Sequence, residues 1–179
     1  MRLWRYVTVG FVCLLCVGAR FAPAQRDRRE PLTEAQQDQL AEAGIDPGAR
    51  IALYTKFASE HASRIEAFGK RTESGRGQRL ESELEDFTAL VDELASNLDQ
   101  YGDRKADLRK GLKVLTEAVP KWQGILRGLP KEREDAIALE DATDSVNDLA
   151  AQTKELDEAQ EKYFKEHKDR AGQEREEPQ

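Results

Sequence analysis

Apolar residues recur at alternating spacings of three and four along most of this chain, which is the pattern of helices that bury one face. The clearest run lies between Leu80 and Tyr101, where the apolar steps are 4, 3, 4, 3, 4 and 3 and most residues between them are polar. Such a seam requires another helix against it, as in a coiled coil. Similar runs cover residues 51–68, 108–129 and 139–163. The chain is therefore predicted to be all-α.

Local signals predict where the first helices begin and end. Thr33 and Gln36 have the T-x-x-Q spacing of a capping box, so a short helix begins there and ends at Gly44. Asp46 followed by Pro47 is a second start signal, because an N-cap acid precedes proline at the first helical position. That second helix ends in a polar loop with two glycines, residues 73–77.

The connection at Gly102-Asp103 has two interpretations. Glycine can end one helix and aspartate can cap the next, which predicts a hairpin. The next apolar run begins at Leu108, seven residues after Tyr101 and in phase with it, so one helix of about fifty residues is the alternative. Charge favours the hairpin, because folding back would bring the acidic third helix against the basic stretch from Arg104 to Lys113.

The last two helices are predicted around two prolines. Pro120 should kink its helix without ending it, since the apolar phase continues through Trp122 and Leu126. Leu129-Pro130 should end that helix and begin the last one, which reaches about His167. At ~1.5 Å per residue the last helix is ~55 Å long against ~35 to 40 Å for the others, so its end should overhang. The expected fold is an antiparallel four-helix bundle, or a set of helical hairpins, with a short extra N-terminal helix and a long C-terminal helix.

The first 24 residues have the composition of a signal peptide. Arg2 and Arg5 precede an uncharged run from Tyr6 to Ala19, and Ala22-Pro23-Ala24 forms an A-x-A cleavage site. The run would extend only ~21 Å as a helix, short of the ~30 Å hydrocarbon layer, so no stable membrane span is expected after cleavage. We expect an exported, soluble product in the periplasm or outside the cell.

The mature chain divides into three parts. Residues 25–31 are charged and aperiodic and read as a flexible tether, residues 32–168 form the helical bundle domain, and residues 169–179 are a disordered acidic tail. Both cysteines, Cys13 and Cys16, precede the cleavage site. The mature domain therefore cannot use disulfides, thiolate metal sites or a cysteine nucleophile.

Composition narrows the class of partner. The whole chain carries 28 basic and 35 acidic residues, and cleavage removes three arginines and no acid, which brings the net charge near −10. Nucleic acid is not an expected partner, because binding a phosphate backbone needs a local excess of cations. Alanine, glutamate, leucine and lysine dominate, which is a helix-forming composition.

The chain offers no pattern for catalysis or for a cofactor. Its only methionine is Met1, and neither His61 nor His167 follows a glutamate by three residues, so the haem and di-iron patterns of helical bundles are missing. There is no G-x-S-x-G, no glycine-rich phosphate loop and no H-E-x-x-H. We expect no enzyme activity, no cofactor and no metal site.

Three aromatic residues are candidate partner contacts: Trp122, Tyr163 and Phe164. Trp122 occupies a core position of its run, or alternatively lines a groove opened by a kink at Pro120. Tyr163 and Phe164 are adjacent, so they cannot both face the same core. One of them should be exposed or docked on a partner at the overhanging end of the last helix.

Two resemblances support an exported helical protein. Leu32-Thr33-Glu34-Ala35-Gln36 resembles the LTxxQ motif of small periplasmic helical chaperones and envelope-stress regulators. That resemblance implies an all-helical protein that binds unfolded or partner proteins on a helical cradle. The whole mature chain, particularly Tyr101 to Lys113, is also similar to uncharacterised exported all-helical proteins of bacteria, a resemblance that implies a fold and no activity.

The expected function is protein–protein contact in the cell envelope. The partners would be envelope proteins of unknown identity, and a homo-oligomer is one possible assembly. The alternative is a bundle that binds a small ligand or a metal in the region of Pro120 to Trp122.

Overall fold

The computed structural model describes residues 30–130 and 135–168. The predicted signal peptide, most of the tether and the acidic tail lie outside these ranges and stay predictions. Within the described ranges the chain forms five helices and no strand, which confirms the predicted all-α fold. The helices are α1 (Glu34–Glu42), α2 (Pro47–Gly69), α3 (Arg76–Asp103), α4 (Arg109–Gly128) and α5 (Ala136–Glu166).

The first two helices begin as their capping signals predict. The Gln36 amide donates to Thr33 Oγ1 at 3.3 Å, and the Thr33 amide donates to Gln36 Oε1 at 2.9 Å, which completes the capping box. Gly44 follows α1 with a φ of +59°, a left-handed conformation that glycine adopts without strain. The Ala49 amide then donates to Asp46 Oδ1 at 3.1 Å and caps α2.

The four long helices form a square bundle in which α2 contacts α3 and α4, and α5 contacts the same two helices. Helix α2 runs parallel to α4, because Gly48 lies beside Gly111 near their starts and Gly69 lies beside Leu129 at their ends. It runs antiparallel to α3, since an early residue of α2, Tyr54, bonds Glu93 late in α3. Successive helices therefore alternate in direction, while the consecutive helices α3 and α4 occupy opposite corners.

The chain reverses between α3 and α4, so the alternative of one continuous helix is wrong. The reversal does not occur at Gly102, because α3 continues through Asp103 and the turn follows, with Lys105 at a φ of +55°. The predicted pairing of acidic α3 with basic α4 is also wrong: in the described chain no Cα of one helix lies within 8 Å of the other. Apolar stripes decide which helices become neighbours, since exposed ion pairs contribute only ~0.2 to 1 kcal/mol each.

A buried glutamine of α5 holds this reversal in place. Gln160 is 5 % exposed, and its Oε1 accepts from the Leu108 amide at 2.9 Å while its Nε2 donates to the Ala106 carbonyl at 2.8 Å. The Leu108 amide and the Ala106 carbonyl lie in the connection between α3 and α4, so Gln160 supplies hydrogen bonds that a helix would otherwise provide. The connection and the start of α4 therefore cover the end of α5. The predicted free overhang is wrong, and α5, which begins at Ala136, is ~46 Å long instead of ~55 Å.

The bundle encloses a continuous apolar core. Trp122 is 1 % exposed, its ring meets Phe87 edge-on at 5.7 Å between centroids, and its Nε1 donates to Ser59 Oγ at 3.1 Å. Helix α4 passes through Pro120 without ending, as predicted. Among residues 30–130 and 135–168, no helix is both long and apolar enough for a membrane crossing.

Candidate functional site

The first helix is the least firmly attached element of the described chain. Helix α1 lies on α2 and buries one residue, Leu40, with Leu32 half-buried beside it. Three polar contacts join it to α2: Arg50 Nη1 donates to the Leu40 carbonyl at 2.8 Å, Gln36 Nε2 donates to Glu60 Oε2 at 3.3 Å, and Lys56 Nζ donates to Gln39 Oε1 at 3.5 Å. Burying one leucine contributes about 1.5 to 3 kcal/mol, and a nine-residue helix is marginal alone. The helicity of α1 therefore depends on its docking.

Residues 30–42, here called the α1 strap, run between two open clefts. The tyrosine cleft has a volume of about 380 Å³, and the histidine cleft one of about 590 Å³. Glu30, Pro31 and Leu32 line both, so the strap separates them. Beyond the strap, α2 and α3 supply Arg50, Tyr54 and Glu93 to the tyrosine cleft, and Glu60, His61, Arg64, Glu83 and Asp86 to the histidine cleft.

The tyrosine cleft contains a phenol fixed on a carboxylate. Tyr54 is 2 % exposed, and its hydroxyl donates to Glu93 Oε1 at 2.7 Å. Burial, then the hydrogen bond and the charge of Glu93, raises the pKa of Tyr54 to about 12, although Arg50 opposes part of this effect. Arg50 in turn donates its Nε to the Tyr101 hydroxyl at 2.9 Å. These side chains are therefore held by each other before any ligand arrives.

The histidine cleft is mainly acidic. His61 is 5 % exposed, and its Nδ1 lies 2.7 Å from Glu83 Oε1 but has no aligned hydrogen-bond partner. Arg64 Nε donates to the same carboxylate oxygen at 2.6 Å. Glu30 of the strap and Glu60 and Asp86 of the helices also line this cleft, so most of its charged side chains are carboxylates.

Carboxylates in this arrangement suit a cationic side chain. Within the described ranges no three His, Cys, Asp or Glu side chains are grouped as a metal ion would require. A guanidinium or ammonium group needs no fixed coordination number, and one carboxylate with good geometry is enough to bind it. The lining of the histidine cleft is chemically able to accommodate a basic side chain.

The structure does not bring the three predicted contact residues together. Trp122 lies in the core at mid-height, whereas Tyr163 and Phe164 lie at the end of α5. Phe164 is 3 % exposed, and the guanidinium of Arg109 lies 4.6 Å from its ring centroid. Tyr163 is half-buried and stacks on His167 at 4.4 Å. Trp122 and Phe164 are thus inside the fold, and of the three only Tyr163 keeps appreciable surface.

The residues that line the two clefts were visible in the sequence only as parts of helical stripes. Tyr54 and His61 lie on the apolar stripe of α2. A phenol and an imidazole on such a stripe were the signal in the sequence that could have indicated a site there. Their acidic partners Glu83 and Glu93 flank the seam of α3. Periodicity gives the face of each helix but not the register between two helices, so the pairs were not predictable.

The LTxxQ-like segment lies at this site. Leu32, Thr33 and Gln36 line the histidine cleft, and Gln36 both completes the capping box and contacts Glu60. No family model, no curated protein and no solved structure matches this chain. The likeness to periplasmic chaperones therefore stays a prediction.

Proposed function

We propose that this protein is exported and acts by protein–protein contact in the cell envelope, through the α1 strap and the two clefts beside it. One observation carries the proposal: Tyr54 and His61 are nearly fully buried at the edge of the core, and each faces a carboxylate of α3. Polar groups fixed by neighbours lose little freedom when a partner binds, which favours affinity.

The small contribution of the strap to the core also supports a role in protein contact. The long helices bury most of the apolar core, so the strap adds only Leu40 and part of Leu32 to it. A strap that contributes little to the core yet covers charged side chains is better explained by recognition than by stability. The strap also contains the last two residues of the predicted tether, which would leave this face accessible in the exported protein.

Export is tested by the N-terminus of the product. The full chain is expressed in its native cells, and the protein is recovered from the envelope and the cytoplasm and sequenced from its N-terminus. We expect the envelope form to begin at Gln25. Recovery of the uncleaved chain from the cytoplasm alone would reject the export part of the proposal.

Contact is tested by photo-crosslinking inside the same cells. A benzophenone amino acid replaces Glu34 on α1 or Glu60 beside the histidine cleft, and a matched variant carries it at Asp144, an exposed position of α5. Helix α5 does not contact α1 or α2, so Asp144 reports nonspecific capture. We expect discrete adducts from the first two positions and none from the third. Absence of adducts at all three, or equal labelling from each, would reject this surface.

A further inference from the structure

We propose that the α1 strap is a displaceable cover, and that a basic amphipathic helix of a partner protein takes its place across the two clefts. The inference rests on the proposed function and adds the chemistry of the partner and the way in which it gains access. Three observations carry it: the weak docking of the strap, the freedom of its hinge, and the charge of the surface beneath it.

The docking is weak because the strap is anchored at one point, by the Leu40 side chain and by the hydrogen bond from Arg50 Nη1 to the Leu40 carbonyl. Leu40 is the only fully buried residue of α1, and the side-chain contact between Gln36 and Glu60 is long at 3.3 Å. A second edge contact, from Lys56 Nζ to Gln39 Oε1, measures 3.5 Å and is exposed. A helix this short and this lightly held opens locally without unfolding the bundle.

The joint between α1 and α2 allows the strap to swing. Gly44 has a left-handed φ of +59° and no atom within 4 Å of the place where a Cβ would stand. Ile45 beside it is 74 % exposed. No packed side chain therefore blocks rotation at this joint.

The surface under the strap is better matched by a basic helix. Where the strap meets a carboxylate of α2, it offers a neutral amide: Gln36 Nε2 donates to Glu60 Oε2 at 3.3 Å. Arginine at this position would add the opposite charge to the contact and could bond the carboxylate through two parallel N–H groups. A partner helix with a leucine at the Leu40 site and an arginine facing Glu60 would therefore outcompete the strap.

The test uses two peptides made from the strap itself. Both span residues 30–44 and keep Leu40; one carries Gln36→Arg, and the control carries Gln36→Glu. Their binding to the mature chain is measured by fluorescence anisotropy at low ionic strength. We expect the arginine peptide to bind at least about tenfold more tightly, with the difference shrinking as salt is added. Equal binding of the two peptides would overturn the basic partner.

A covalent pin tests displacement. The mature chain has no cysteine, so Gln39→Cys with Lys56→Cys creates a single pair across the outer edge of the strap, away from the acidic lining. Joined by a short bis-maleimide spacer, this variant should bind the arginine peptide at least about tenfold more weakly than the same variant left unjoined. Unchanged affinity would show that the clefts bind the arginine peptide without displacement of the strap, and it would reject the displaceable cover.

The outcomes separate this inference from the proposed function. Cell adducts at Glu34 and Glu60 that persist in the pinned variant would keep protein contact and reject the displaceable cover. If the arginine peptide displaces the strap but photo-crosslinking in cells gives no adduct, protein contact in the envelope would be rejected instead. Light scattering on the unjoined variant adds one further check: a dimer that the pin abolishes would identify a second copy of this chain as the occupant and reject the basic partner.

Discussion

Two glycines of α4 should respond in opposite directions to alanine. A Cβ on Gly111 would lie 2.8 Å from Ile51 Cβ and 3.0 Å from the Gly48 carbonyl oxygen, both on α2. Neither atom belongs to a flexible side-chain end, so the two helices must move apart. A Cβ on Gly124, one turn before the end of the same helix, would meet nothing within 4 Å.

The magnitudes follow from packing and helix propensity. Gly124→Ala should raise the free energy of unfolding by about 0.8 to 1 kcal/mol, the propensity difference in a helix interior. Gly111→Ala should lower it by about 1 to 2 kcal/mol, because overpacking costs about 1 to 3 kcal/mol and the propensity gain offsets only part of that. For a chain of this size the midpoints of thermal unfolding should differ by roughly 4 to 12 °C.

The assay is urea and thermal unfolding of the mature chain, followed by circular dichroism at 222 nm. Gly48→Ala serves as an internal control from the other side of the same contact, since the nearest atom to its Cβ would be 3.4 Å away. It should stay close to wild type. If Gly111→Ala were as stable as Gly124→Ala, the close approach of α2 and α4 would not exist in solution.

Two further variants test the buried polar groups. Gln160→Leu should lower the free energy of unfolding by about 2 to 5 kcal/mol, because it leaves the Leu108 amide and the Ala106 carbonyl buried without a partner; hydrogen exchange at the Leu108 amide should accelerate in parallel, and a stability near wild type would refute the clamp. Tyr54→Phe tests the hydrogen bond from the Tyr54 hydroxyl to Glu93. Because folding raises the pKa of Tyr54, this hydroxyl stabilises the wild type fully below pH 10, and its contribution to the free energy of unfolding should decline by about 1.4 kcal/mol per pH unit towards pH 12. Unfolding curves of wild type and variant with the same pH dependence would contradict this assignment.

Helix positions were predictable because they depend on local chemistry. The capping box at Thr33, the Asp46-Pro47 start and the αL glycine at position 44 each act within one turn of backbone, so the residues that decide the outcome are adjacent in sequence. The continuation of α4 through Pro120 was predictable for the same reason, since the apolar phase on either side of it is continuous.

Helix neighbours were not predictable to the same degree. The charge argument placed α3 beside α4, but each of these helices packs on α2 and α5 instead. Glycine at position 111 lets α4 approach α2 closely, and Gln160 of α5 holds the connection between α3 and α4. Such pairings join residues about fifty or more positions apart, and periodicity carries no information about them. The same limit concealed the contacts of Tyr54 and His61 with α3.

The square arrangement has an electrostatic consequence for the helix macrodipoles. Each long helix has one parallel and one antiparallel neighbour, so the repulsion between like ends of α2 and α4 nearly offsets the attraction between α2 and α3. Asp46 and Asp107 place a carboxylate at each of the two adjoining N-termini, and each accepts a hydrogen bond from a backbone amide there. Cohesion of the bundle therefore comes from its apolar contacts, and the macrodipoles contribute little net energy for added salt to screen.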